Sequence, residues 1–223
     1  MELRRTANAG FLLKLDGVMI ALDGVCLEVP PYQAAPPAER DRLLAAPPDL
    51  LAFTHDHADH FDPNFASEFQ KRTLRPILGT DQVARALPGC RVSEDGLRIR
   101  NVRITPVTTR HIGKSCLTTN HVSFIIEGSK CIWFAGDATP TQLGGITGFP
   151  KADILIAPYA YVTTGVALHT LQVLQPKHLV LTHMPLRSHD PHGLWAAVDA
   201  MLPKISIPVS IPGISETLSD PFF

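Results

Sequence analysis

The sequence predicts an α/β (α+β) fold of four layers, in which two mixed β-sheets pack face to face and helices cover the outer faces. Each half of the chain follows the same order of a hairpin, a short buried strand and a helix, which suits two stacked sheet layers. Hydrophobic residues make up 45% of the 223 positions and charged residues 18%, so a large core is expected. Because no linker-like stretch divides the chain, we expect one domain over residues 1–223.

The first half opens with a hairpin and continues into a proline-rich segment. Residues 11–15 and 18–22 are apolar runs on either side of Asp16-Gly17, a dipeptide that accommodates the positive φ angles of a tight turn. Residues 30–48 contain six prolines. Residues 38–46 within this segment predict a short helix, and the rest predicts a loop that could cover a site.

A buried strand and an amphipathic helix complete this half. Residues 49–54 are the strand, and Asp-Pro at 62–63 is typical of a helix start, with Asp as the N-cap and Pro in the first turn. Phe61, Phe65 and Phe69 follow at four-residue spacing and predict the buried stripe of the helix.

The second half repeats this order. Its predicted elements are a hairpin of 122–126 and 131–134, a strand at 152–157, a helix carrying Ala167, Leu171 and Leu174, a strand at 178–182, and a helix carrying Leu194, Val198 and Met201.

The charge balance and the cysteines indicate where the protein works. Twenty basic residues against 21 acidic residues give a formal charge of −1, so we expect neither a nucleic-acid nor a membrane partner. The four cysteines are widely spaced and favour free thiols in a reducing compartment. No apolar run is long enough for a signal peptide or a membrane span. We therefore expect a cytoplasmic protein with a small-molecule substrate, and a homo-oligomer stays open.

The densest chemistry lies at residues 54–60, Thr-His-Asp-His-Ala-Asp-His. Imidazole and carboxylate groups are ligands that zinc, manganese and iron accept. His55 and His57 point to one side of an extended loop, whereas Asp59 and His60 can turn toward a second ion. The alternative is a polar surface loop, but so many ligand types in six positions favour a metal site.

A site with two metals needs further ligands, and three candidates each follow a predicted strand: His111, Asp137 and His183. A carboxylate is suited to bridge two ions, and strand ends at one edge of a sheet can converge on the loop. Each residue alone is more often structural, so the ordered set carries the prediction.

The set resembles the pattern of the metallo-β-lactamase superfamily, from Asn8 to about Pro212. The matching stretches are Thr-His-Asp-His-Ala-Asp-His at 54–60, Thr-Arg-His at 109–111, Phe-Ala-Gly-Asp-Ala at 134–138 and Leu-Thr-His-Met at 181–184. The resemblance implies an αββα sandwich. It also implies one metal held by His55, His57 and His111, a second held by Asp59, His60 and His183, and Asp137 as the bridge between them.

Within that superfamily the chain looks most like the short hydrolases related to ascorbate-6-phosphate lactonase. The similar stretches are 152–158, Thr163-Thr164 and 174–177. The chain departs from these relatives at Asp23-Gly24, where they often have Asp-Pro, in the loop at 158–161, and in the insertion at 30–48. These differences lie where a substrate would be selected, so the substrate stays open.

The resulting hypothesis is a dinuclear hydrolase. Two divalent transition-metal ions would share a hydroxide that attacks a small ester, lactone or phosphodiester. Zinc is the favoured ion, and manganese and iron are the alternatives. Asp59 is the candidate catalytic residue that orients the nucleophile. Asp23 is a candidate partner for a ligating histidine, with a simple turn carboxylate as the alternative.

Further residues and two rival functions complete the sequence-based picture. The candidate substrate contacts are Tyr159, Tyr161, Arg187 and His189, each with a core or surface role as the alternative. One rival is a di-iron oxidoreductase on the same scaffold; that branch usually has Glu at the position of His57, which favours hydrolysis here. The other is a non-catalytic metal-binding or sensor protein, which the full ligand set makes less attractive.

Overall fold

The computed structural model describes residues 1–92 and 96–220; residues 93–95 and 221–223 of the expected domain lie outside the described residues. The strands are β1 (Glu2–Arg5), β2 (Phe11–Leu15), β3 (Val18–Leu22), β4 (Leu50–Ala52), β5 (Ile77–Leu78), β6 (Leu97–Ile99), β7 (Val102–Arg110), β8 (Asn120–Glu127), β9 (Cys131–Phe134), β10 (Ile154–Pro158), β11 (His178–Thr182), β12 (Val209–Ser210) and β13 (Thr217–Ser219). The helices are α1 (Pro37–Ala45), α2 (Pro63–Thr73), α3 (Asp81–Ala86), α4 (Pro140–Gly144), α5 (Ala160–Thr163), α6 (Gly165–Leu174) and α7 (Leu194–Met201).

The strands form two mixed sheets. In the first the order is β13-β1-β2-β3-β4-β5, antiparallel from β13 to β3 and parallel from β3 to β5. In the second the order is β12-β11-β10-β9-β8-β7-β6, parallel from β12 to β9 and antiparallel from β9 to β6. Each sheet thus joins a hairpin region to a parallel region, which is the repetition that the sequence shows.

Three clusters of buried side chains show that the predicted four-layer fold is correct. A central cluster joins the facing sides of both sheets, for example Ile20 of β3 with Phe134 of β9. A second cluster joins the outer face of the second sheet, through Trp133, to α4, α5, α6 and α7. A third joins the outer face of the first sheet to α1, α2 and α3. Because side chains alternate along a strand, neighbours such as Trp133 and Phe134 serve different layers.

Local signals in the sequence correspond to the structure. The β2–β3 turn at Asp16-Gly17 has φ angles of 51° and 76°. The Asp62 carboxylate accepts hydrogen bonds from the backbone N–H groups of Asn64 and Phe65 at 2.9 and 3.1 Å, which caps α2. The sequence analysis missed short elements such as β1, β5, β12, β13 and α3, because two to six residues are too few to show a period.

No helix in the described ranges combines the length and the hydropathy needed to cross a bilayer.

Candidate metal centre

The candidate site residues follow strands whose carboxyl ends meet at one edge of the two sheets. In the first sheet Asp23 follows β3, and His55 comes shortly after its parallel neighbour β4. In the second sheet His111 follows β7, Asp137 comes shortly after β9, and His183 follows β11. β7 and β9 both pair antiparallel with β8, and β9, β10 and β11 are parallel, so β7, β9 and β11 run in one direction. The topology therefore gathers side chains that are far apart in the sequence.

Six of the seven presumed ligands form two neighbouring groups. The first group is His55, His57 and His111, and the second is Asp59, His60 and His183. Within each group the candidate ligand atoms all lie within 4.8 Å of one another. The Nε2 atoms of His55 and His111 are 3.3 Å apart, and those of His60 and His183 are 2.8 Å apart.

The seventh, Asp137, lies between these groups. Its Oδ2 atom is 3.5 Å from Nε2 of His111 in the first group and 3.5 Å from Nε2 of His60 in the second. Its Oδ1 atom is buried and lies 3.1 Å from Nε2 of His183 in the second group. One carboxylate thus faces both groups of candidate ligands.

Asp23 orients His60 directly and His55 through Thr54, on the side of each ring that faces away from the centre. It is fully buried, and its Oδ2 atom accepts hydrogen bonds from His60 Nδ1 at 2.7 Å and from the Thr54 hydroxyl at 2.6 Å. Since the Thr54 proton goes to Asp23, the Thr54 oxygen accepts a hydrogen bond from His55 Nδ1 at 2.9 Å. In their neutral forms both rings therefore carry the proton on Nδ1 and present the lone pair of Nε2 to the centre, a common arrangement for metal-binding histidines.

His111 has the same tautomer, because its Nδ1 donates a hydrogen bond to the Ile112 carbonyl at 2.5 Å. The Nε2 lone pairs of His55 and His111 consequently face each other across 3.3 Å, which is unfavourable without a positive charge between them. The Asp137 carboxylate adds negative charge beside them, since its Oδ2 atom lies 3.5 Å from His111 Nε2. Nitrogen and oxygen donors of this kind fit divalent transition-metal ions.

The electrostatics of the centre also favour a bound cation. Burial alone would raise the pKa of Asp137, but His183 and His60 outweigh it and hold that pKa well below its usual value. Burial likewise opposes protonation of His60, yet Asp137 and Asp23 raise its pKa well above normal. His55 differs, since burial and then His60 hold its pKa well below the usual value and keep the ring neutral. The centre therefore stabilises positive charge near Asp137 while it leaves neutral imidazole available as a ligand.

Asp137 is held by a tight turn and by a histidine that the sequence analysis left without a role. His121 at the start of β8 accepts a hydrogen bond from the backbone N–H of Asp137 at 2.9 Å. Its Nδ1 pairs with the hydroxyl of Thr109, its partner across the β7–β8 ladder, at 2.8 Å. Burial lowers the pKa of His121 to about 3, so the ring is neutral and can accept this bond. Gly136 precedes Asp137 at φ +53°, in the left-handed region that favours glycine.

A methyl group at Gly136 would meet both walls of this turn. Its Cβ would lie 2.6 Å from Thr54 Cγ2 and 2.8 Å from His121 Nε2. Backbone strain at positive φ and overpacking together predict that Gly136→Ala lowers the free energy of unfolding by about 2–4 kcal/mol. Urea denaturation monitored by circular dichroism measures this loss.

Gly148→Ala is the matched control, because Gly148 also has positive φ, +86°, but no atom within 4 Å of an added Cβ. This control should lose only about 1–2 kcal/mol from backbone strain. Equal losses in the two variants would show that Thr54 and His121 do not confine the turn.

Asp59 and His57 occupy the more open side of the centre. The Asp59 carboxylate, 15% exposed, lies 3.9 Å from Nε2 of His60 and 3.9 Å from Nδ1 of His183. The half-buried His57 ring packs 4.7 Å from the His111 ring, and its Nε2 lies 3.2 Å from the Thr119 hydroxyl.

The proline-rich segment supplies an aromatic wall to the centre. The edge of the Tyr32 ring meets the His183 ring with centroids 4.9 Å apart. Burial, followed by the neighbouring Tyr159 phenol and the Asp137 and Asp59 carboxylates, raises the pKa of Tyr32. Its phenol therefore stays protonated at neutral pH and able to donate a hydrogen bond. Tyr32 is a candidate substrate contact that the sequence analysis missed, and Tyr159 stays one.

Three other predicted contacts lie elsewhere. Tyr161 is fully buried, and its hydroxyl donates to the Ala138 carbonyl at 3.0 Å, so it supports the loop after Asp137, the core role that the sequence analysis gave as its alternative. The Arg187 side chain forms a fork with Asp199 and stacks on Trp195 at 3.7 Å, so it is committed to the surface of α7 rather than to the centre. His189 lies in the turn 187–189 beside Pro30 and Pro31 and belongs to neither ligand group, so its role stays a prediction.

Comparisons with known proteins find sequence similarity to metal-dependent hydrolases. No protein-family model matches the chain. A UPF0173 metal-dependent hydrolase of Thermoplasma acidophilum is 23% identical over 205 residues, covering 86% of this chain and 79% of the relative. One from Pyrobaculum arsenaticum is 25% identical over 225 residues, covering 90% of this chain and 93% of the relative.

Solved structures share the fold at lower identity. A metallo-β-lactamase-fold protein of Bacillus subtilis aligns with a TM-score of 0.64 at 15% identity over 97% of this chain and 98% of the other. An isothiocyanate hydrolase from Delia radicum gut bacteria aligns with a TM-score of 0.71 at 19% identity over 98% of both chains. A diiron β-hydroxylase of Streptomyces venezuelae aligns with a TM-score of 0.67 at 14% identity over 97% of this chain and 53% of the other. The chain therefore has the metallo-β-lactamase fold that the sequence motifs predict.

Proposed function

We propose that this protein is a hydrolase that holds two divalent transition-metal ions and cleaves a small-molecule ester, lactone or phosphodiester. Zinc is the preferred candidate for the ions, with manganese or iron as alternatives. The observation that carries the proposal is the Asp137 carboxylate, whose Oδ2 atom is 3.5 Å from both His60 and His111 Nε2. A carboxylate in this position suits a bridge between two ions. The similarity to metal-dependent hydrolases supports the same activity.

The ions would supply Lewis-acid activation of water and of the scissile carbonyl or phosphoryl oxygen. Asp59 borders the centre on its more open side and can orient a water molecule and accept its proton. The Tyr32 and Tyr159 phenols can donate hydrogen bonds to substrate oxygen atoms. Because Tyr32 packs against His183, this wall narrows the approach and favours a small substrate. Cytoplasmic location and the absence of nucleic-acid partners remain predictions from composition.

The fold alone does not distinguish this function from its rivals, since a diiron β-hydroxylase shares it. Hydrolysis is favoured because residue 57 is histidine and its ring lies against His111 in the first ligand group. A non-catalytic metal-binding or sensor protein stays the other rival, since Asp59 in the second ligand group would serve metal binding in either function.

The test is a substrate screen of protein reconstituted with Zn²⁺ or Mn²⁺. The panel contains lactones, carboxylic esters and phosphodiesters, with thioesters, amides and isothiocyanates for breadth. We expect hydrolysis of an ester, lactone or phosphodiester that a chelator abolishes and that added metal restores. Turnover that resists the chelator would contradict the proposed chemistry.

Two controls separate the rivals. The double variant His57→Ala/Asp137→Ala should be inactive on any substrate found. Oxygen consumption by the iron-loaded protein without hydrolysis would favour the oxidoreductase. Full metal occupancy with no turnover across the panel would favour the metal-binding or sensor alternative.

A further inference from the structure

Asn8 lies in the turn between β1 and β2, and its amide contacts a presumed ligand. The side chain is 1% exposed, and its Nδ2 atom lies 3.1 Å from Nδ1 of His183. Its Oδ1 atom is buried and has no hydrogen-bond partner among the described residues. A buried amide oxygen without a partner is costly, so this arrangement calls for an explanation.

The position of Asn8 is fixed by Arg5, which is 4% exposed. The Arg5 guanidinium donates to the Asn8 carbonyl at 2.7 Å and to the Met184 carbonyl at 3.2 Å. Met184 directly follows His183, so one buried cation ties the Asn8 turn to the end of β11. The amide is therefore held against the His183 ring.

His183 can present only one nitrogen to the centre. Its Nε2 atom lies 2.8 Å from His60 Nε2 and 3.1 Å from Asp137 Oδ1, whereas its Nδ1 atom faces Asn8. A neutral ring that offers its Nε2 lone pair to a metal carries its proton on Nδ1. That N–H needs an acceptor, and Asp59 Oδ2 at 3.9 Å is beyond hydrogen-bonding distance. An amide nitrogen cannot accept the proton, but an amide oxygen can.

We propose that Asn8 is a positioning residue for metal binding, whose amide serves His183 in two orientations. With the amide nitrogen toward Nδ1, Asn8 donates and His183 keeps its proton on Nε2, which lies 3.1 Å from the Asp137 carboxylate. With the amide turned over, Oδ1 accepts the Nδ1 proton and Nε2 is free to bind a metal. Asn8 Oδ1, which has no hydrogen-bond partner in the first orientation, then accepts from His183 Nδ1. Asparagine fits both states, because its amide can donate and accept in nearly the same volume.

This inference rests on the metal-binding part of the proposed function, and two substitutions test it. Asn8→Leu preserves size but removes the acceptor. It should weaken binding of the second Zn²⁺ by about 10–100-fold, the usual effect of losing an outer partner of a ligating histidine. Asn8→Asp keeps an acceptor at the same position and should bind the second Zn²⁺ more tightly than Asn8→Leu does. Asn64→Leu, at an exposed position, is the control and should bind as wild type.

Zn²⁺ affinity is measured by competition with a chromogenic chelator, and circular dichroism checks that each variant folds. Nitrogen-15 NMR of Zn²⁺-loaded wild type should show His183 protonated on Nδ1, and metal-free protein should show it protonated on Nε2. Two tightly bound ions in Asn8→Leu, or Nε2 protonation in the loaded protein, would overturn the role of Asn8 alone. Wild type that binds no Zn²⁺ would instead overturn the proposed function.

Discussion

Asp137→Asn is expected to reduce turnover on any substrate found by about a thousandfold or more, because a lost ligand and bridge costs several kcal/mol of transition-state stabilisation. Asparagine has the shape of aspartate but lacks its charge, and its amide nitrogen cannot bind a metal. The burial of Asp137 between His60, His111 and His183 leaves no other carboxylate in that position. Initial rates of the Zn²⁺-reconstituted variant measure the effect.

Asp56→Asn is the matched control, since Asp56 lies in the same loop but in neither group of candidate ligands. It should change turnover by less than about threefold, as expected for a partly exposed charge near the site. Comparable losses in the two variants would mean that general negative charge matters, and not the bridging position of Asp137.

Removal of the metals should lower the thermal stability strongly. An ion that binds only the folded chain stabilises it by about 4 kcal/mol when its free concentration is about 1,000 times its Kd. For a chain of this length each kcal/mol corresponds to about 2–4 °C in Tm, so stripping two ions bound this tightly should lower Tm by about 16 °C or more. The physical reason is that the Nε2 lone pairs of His55 and His111 face each other across 3.3 Å beside the Asp137 carboxylate, so a bound cation stabilises the folded chain.

Differential scanning calorimetry before and after chelation, and after Zn²⁺ is added back, measures this shift. The double variant His57→Ala/Asp137→Ala provides the control, and the same chelator should hardly move its Tm. A wild-type Tm that neither chelation nor added Zn²⁺ changes would contradict metal binding at the centre.

Much of the fold follows from local sequence signals. The Asp16-Gly17 turn, the Asp62 cap and the phenylalanine stripe of α2 are each specified within a few residues. The edge strands β12 and β13 were missed because their two or three residues pair only after distant segments fold.

The candidate ligands could be selected from the sequence because their residue types are rare together and each follows a strand. Of their hydrogen-bonding and packing partners, Asp23 could be named from the sequence, whereas His121, Asn8 and Tyr32 could not. The contact of His121 with Asp137 depends on the β7–β8 register and on the turn at Gly136. The contacts of Asn8 and Tyr32 with His183 join loops that are distant in the sequence. The sequence could not choose between the two roles it gave Tyr161, because an aromatic residue after a strand can be buried beneath a site or exposed to it.

The metal content of the purified, reconstituted chain tests the central claim most directly. Inductively coupled plasma mass spectrometry after gel filtration should find about two Zn²⁺ or Mn²⁺ ions per chain in wild type, as a dinuclear centre requires. The double variant His57→Ala/Asp137→Ala should retain hardly any. A folded wild-type protein that emerges without metal would contradict the account.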